Sequence, residues 1–76
     1  MFEVRTNSPI DEGWQRRDKL IEKAAGRVSD FAGTGLGSNE CAGRNHGWIV
    51  ATFDEAQAMK RRLSAVPDVA VTVREQ

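Results

Sequence analysis

"HGWIVATF", residues 46–53, reads as a strand, and the side of it that meets the core decides the fold. Side chains alternate between the two faces of a strand, so Ile49, Ala51 and Phe53 form one row and Trp48, Val50 and Thr52 the other. The first row is apolar throughout and is the expected core row, which leaves Trp48 and Val50 facing outward. A slip of one residue inverts the assignment, burying Trp48 and exposing Ile49 and Phe53.

On the N-terminal side, MFEVR alternates Phe2 and Val4 with Glu3 and Arg5, the pattern of a first strand. In the segment that follows, Ser8 is placed to cap a helix, with Pro9 at its first position and Asp11 as in a capping box. Trp14, Ile21, Ala24, Ala25 and Val28 recur at helical spacing with Leu20 beside them; Trp14, Leu20, Ile21 and Ala25 are expected in the core, and Gly26 is placed to end the helix in a left-handed cap. Residues 29–37 read as an irregular strand that contributes Phe31 to the core. On the C-terminal side, DEAQAMKRRLSAV carries the stripe Ala56, Met59, Leu63, Val66, capped by Asp54 or by Thr52 with Glu55 and stopped by Pro67. DVAVTVRE closes with Val69, Val71 and Val73 on one face and Ala70, Thr72 and Arg74 on the other. The order strand, helix, strand, strand, helix, strand predicts a single α+β domain over residues 1–76. Its compact form is a ferredoxin-like βαββαβ arrangement, a four-stranded antiparallel sheet with two helices on one face.

The 76 residues stand near the lower limit for a chain that folds by packing alone. A single cysteine excludes an internal disulfide and points to a reducing, cytoplasmic setting. No signal pattern or membrane-length apolar run is present in the sequence. Eleven basic residues balance eleven acidic ones, so the chain lacks the overall positive field that draws a protein to phosphates, and nucleic acid is disfavoured as a partner.

GTGLGSNECAGRNHGW, residues 33–48, holds five of the seven glycines together with Cys41 and His46. A dinucleotide fingerprint would need a third glycine where Ser38 stands and a helix to follow; a P-loop would need Gly-Lys-Ser/Thr. A zinc site needs three or four ligands, and Cys41 and His46 have no recognisably spaced companions. A Cys–His nucleophile would need an orienting group and an oxyanion site, and none is identifiable. The expectation is therefore no enzyme, no cofactor and no metal, with Cys41 and His46 as ordinary residues of a hairpin.

Gly33, Gly35 and Gly37 share one face with Phe31, a trough that the indole of Trp14 is expected to fill. The opposite face gathers Leu36, Thr34, Trp48 and Val50. On a sheet covered on one side only, these residues become an open apolar platform, with tryptophan the residue type most enriched at binding hot spots. Arg44, Arg74 and the bases Lys60 and Arg61 of the second helix are the expected rim. The helical segments carry eight of the eleven basic residues, Arg16, Arg17, Lys19, Lys23, Arg27, Lys60, Arg61 and Arg62, which are ordinarily a solvated face and alternatively a site for an acidic partner.

The segment FDEAQAMKRRLSAVPDVAVTVRE resembles the last third of ferredoxin-like modules in its D-E-A helix start and V-P-D-V turn. The whole chain also resembles the short α+β proteins of bacteriophages and mobile elements, some of them anti-CRISPR or other anti-defence inhibitors. That resemblance implies steric occupation of a surface on a host complex in the host cytosol, and carries over no specific residue. Ligand-binding ACT domains and RNA-recognition modules share the layout, though the latter's aromatic-rich central strand is missing. The leading expectation is a non-enzymatic protein-binding module, plausible as a phage inhibitor. The alternatives are a homodimer through the open sheet face, a single-stranded nucleic-acid binder and a small-ligand regulatory module.

Overall fold

Alternation at the N-terminus produces β1 (Phe2–Ser8), whose inward side chains Val4, Thr6 and Ser8 are all buried. The computed structural model describes residues 1–35 and 43–76; Leu36, Gly37 and Cys41 lie outside the described residues. After β1 come α1 (Trp14–Ala25), β2 (Phe31–Gly35), β3 (Gly43–Val50), α2 (Phe53–Leu63) and β4 (Ala70–Glu75). The strands form one antiparallel sheet in the order β2-β3-β1-β4, so the α+β, ferredoxin-like βαββαβ layout expected from the element order is the fold. Val4 and Trp48 from the sheet, Ile21 and Ala25 from α1, and Ala56, Met59 and Leu63 from α2 share one core, which places both helices on the same face.

The helices follow their stripes. Ala56, Met59, Leu63 and Val66 are all buried, as their spacing requires. Thr52 caps α2, its hydroxyl accepting from the Glu55 amide at 3.2 Å. Gly26 closes α1 at φ 88°, its N–H donating to the Glu22 carbonyl at 3.0 Å, the left-handed cap anticipated. The start of α1 differs from expectation. Ser8 is the last residue of β1, paired with Arg44, and so cannot cap a helix. The helix instead begins after a turn in which Asp11 accepts from the Gly13 amide at 3.0 Å. A two-pronged bond from Arg17 holds the Asp11 carboxyl below the usual carboxylate range. Asp30 is held low in the same sense, chiefly by the Ile49 amide at 2.7 Å and secondarily by Arg27.

The register of β3 is the main correction. Val4 pairs with Trp48 and Phe2 with Val50, so Trp48 and Val50 lie beneath the helices with their β1 partners. Trp48 is 0% exposed, and its indole N–H donates to the Arg27 carbonyl at 3.2 Å. The expected core row fails because β3 ends at Val50. Ala51 lies in the bend before α2 and Phe53 is that helix's first residue, 53% exposed, so only Ile49 of the row belongs to the strand. Burying the larger indole with a satisfied N–H removes more apolar area from water than burying Ile49 would. Phe31 is inverted with β3, since it pairs with Gly47 on the open face.

Candidate functional surface

The open sheet face carries a different aromatic from the one expected. In the row formed by Arg5, Gly47 and Phe31, the Phe31 ring occupies the space a Gly47 side chain would need. The Arg5 guanidinium stands 5.3 Å from the ring centroid. The trough expected along Gly33, Gly35 and Gly37 with Trp14 in it is not formed among the described residues; the Phe31 ring lies on Gly47 instead, and Trp14 lies against the Arg44 guanidinium on the helix side. A side chain at Gly33 would meet nothing within 4 Å, and Gly37 lies outside the described residues. Phe31 remains 38% exposed; on the same face of the sheet stand the half-buried Ile49 of β3 and Asn7, which donates to Asn45 across the strands at 3.0 Å. One ring and one half-buried isoleucine make a small anchor.

The platform set out from the sequence does not assemble. Trp48 and Val50 are buried in the core, and Leu36 lies outside the described residues. Thr34 and Arg44 pair across β2 and β3 on the helix side, not on the open face. Arg44 Nε donates to Asp18 at 2.9 Å, and its guanidinium covers the Trp14 ring at 5.4 Å, so it is bound in place under α1. Arg74 does lie on the open face, on the edge strand β4. Lys60 and Arg61 are exposed on α2, on the opposite side of the molecule from the sheet's open face.

Beneath α1 lies a cluster that sequence reasoning missed. His46 is buried, its Nε2 is 2.9 Å from Asp18 Oδ1, and its Nδ1 is 3.2 Å from Ser29 Oγ. The ring stacks on Trp48 with centroids 6.0 Å apart. Ser, His and Asp in series can in general activate a hydroxyl. Here, however, Arg44 occupies the other Asp18 oxygen, and the imidazole is sealed from solvent beneath α1. The cluster is best described as a clamp: four polar side chains from α1, β3 and the intervening loop satisfy one another where α1 meets the sheet. Among the described residues no group of three or more His, Cys, Asp or Glu side chains is placed to hold a metal ion. Among the same residues no helix is long and apolar enough to cross a membrane.

A broad, shallow apolar depression lies between α1 and the turn from α2 to β4. A cleft of about 610 Å³ is floored by Leu20, Ala24, Val66 and Pro67, with Lys23 and Arg62 at its sides. A second cleft of about 220 Å³ shares Leu20, Val66 and Pro67 and extends the feature along α1 past Arg16 to Gly13. Leu20 is 47% exposed in the middle of it. The residue was expected in the core but sits off the buried stripe of Ile21 and Ala25; its position between Lys19 and Lys23 was the available signal. Arg62 crosses the seam, donating to the Ala24 carbonyl at 2.9 Å and the Ala25 carbonyl at 3.1 Å. It thereby satisfies orphan carbonyls at the end of α1 and fixes a cation on the trough wall. Arg16, Lys19 and Lys23 make no ion pair among the described residues.

Comparison with known proteins finds no matching family model, no matching curated protein and no matching solved structure.

Proposed function

We propose that this chain is a protein-binding module without chemistry of its own, which works by occupying a partner's surface through the α1–α2 trough. The observation that carries the reading is the joined cleft centred on Leu20, an apolar floor bordered by Arg16, Lys23 and Arg62, which make no ion pair among the described residues, while Arg17 at its end is paired with Asp11 and Asp68. Exposed leucine, alanine and proline side chains in a concavity gain by covering, and a rim of uncompensated charge sets the orientation of what covers them. Steric occupation is also how the phage-type inhibitors that the sequence resembles act. The open sheet face is the weaker candidate because its one exposed ring already rests on Gly47.

Photo-crosslinking tests the reading. A photoreactive residue replacing Leu20 is expected to capture a protein from the extract in which the chain acts, and one replacing Phe31 is not. Capture through position 31 alone would move the function to the sheet.

A further inference from the structure

We infer that the occupant of the trough is an acidic amphipathic helix; this rests on the reading of the trough as the binding surface. Two features of the trough select that class. The first is its backbone. An extended peptide needs free main-chain donors and acceptors along an edge, as at a sheet. The walls here are α1, whose main chain is internally bonded, and the turn after α2, where the Ala65 amide donates to Arg62 and the Val66 amide to Leu63. Pro67 has no N–H to offer. An occupant must therefore satisfy its own backbone, which a helix does.

The second feature is the arrangement of charge. Arg16, Leu20 and Lys23 fall at helical intervals along one stripe of α1, with Lys19 beside them and Ala24 turned toward the seam. Cations thus stand along the outer wall, Arg62 stands on the other, and the apolar strip runs between them. From Gly13 to Ala24 the trough follows α1 for about three turns. A helix of similar length would lay its apolar stripe on Leu20, Val66 and Pro67, with carboxylates on both flanks facing the two cationic walls. Among the described residues that line the trough, the carboxylate is Asp68, which lies at its far end, 3.9 Å from Arg17.

The test uses synthetic peptides of roughly 15 residues, long enough for partial helicity. One carries leucine at helical spacing with glutamate on both flanks. A second has lysine for each glutamate, and a third keeps the glutamates but has a central proline. Titrated into the full chain, the glutamate peptide is expected to shift the methyl resonances of Leu20, Ala24 and Val66. The lysine and proline peptides are each expected to bind at least about tenfold more weakly. The Arg16→Glu, Lys23→Glu double variant changes two exposed side chains, and its amide spectrum reports whether it is folded. It should lose about tenfold in affinity for the glutamate peptide and gain affinity for the lysine one.

Equal binding of glutamate and lysine peptides, or none by either, overturns the inference. So does proline-peptide binding as strong as that of its helical parent. An RNA oligonucleotide that displaces the glutamate peptide while leaving the Leu20 methyls unmoved would assign the cations to nucleic acid and overturn it too. Protein crosslinking through position 20 with no glutamate-peptide binding keeps the trough as a docking surface and removes only the acidic helix.

Discussion

Replacing Trp48 by alanine should come close to unfolding this protein, and the size of the effect follows from where the indole sits. The side chain is fully buried between β3 and the helices, stacked on His46 and bonded to the Arg27 carbonyl. Truncating a buried large aromatic costs about 3–5 kcal/mol, and stranding its hydrogen-bond partner adds about 1 kcal/mol or more. A domain of 76 residues has about 4–11 kcal/mol of total stability. With a urea dependence of about 1 kcal/mol per molar for a small protein, a 4 kcal/mol loss moves the midpoint by about 4 M. Urea unfolding followed by far-ultraviolet circular dichroism reads this directly. Trp48→Phe keeps most of the ring and loses the N–H donor, so it should cost about 2 kcal/mol and remain folded. A Trp48→Ala midpoint within about 0.5 M of the parent, as for a surface substitution, would refute the register of β3.

Gly47→Ala should drive the Phe31 ring off β3, because a Cβ there overlaps the ring, and cost about 1–3 kcal/mol with a visible change in the Phe31 ring resonances; unchanged resonances would contradict the packing. Thr6→Val should stabilise the fold by about 1 kcal/mol in the same urea assay, since the Thr6 hydroxyl is buried without a hydrogen-bond partner among the described residues; a loss instead would mean that the hydroxyl is satisfied. Asp11 and Asp30 titrate lower folded than unfolded, so their contribution is complete above the ordinary value of 3.8 and is lost as pH falls through it toward the lower folded values. The urea midpoint should therefore fall between about pH 5 and about pH 3, less steeply in Asp30→Asn; an identical slope in that variant would remove Asp30 from the account.

α2 and β4 were legible because their stripes are periodic and apolar; α1 was less so, since Asp18 enters its inward side and Val28, read into its stripe, lies beyond the helix end and is 72% exposed. Ala56, Met59, Leu63 and Val66 all point inward as the spacing requires. The register of β3 was misleading for a definite reason: Ala51 and Phe53 prolong an apolar alternation beyond the end of the strand. The true inward row is His46, Trp48 and Val50, and it looks too polar until Asp18 is brought from 28 residues away to meet the histidine. The same inversion hid the Phe31–Gly47 contact, although a glycine within a strand opposite an aromatic is itself a signal of close ring-to-backbone approach. The trough was not legible. Leu20 was read into the core beside Ile21, and nothing in the chain foretold that it would stay exposed over a floor completed by Val66 and Pro67, more than 40 residues on.

The direct test of function is the affinity of the partner captured through position 20 for two variants, Leu20→Asp and Phe31→Ala, measured by titration calorimetry. A charge placed in the middle of the apolar floor should weaken binding by about 2 kcal/mol, some thirtyfold, while the open-face substitution leaves it within about twofold. Unaltered binding by Leu20→Asp together with a large loss in Phe31→Ala would contradict the account and place the partner on the sheet.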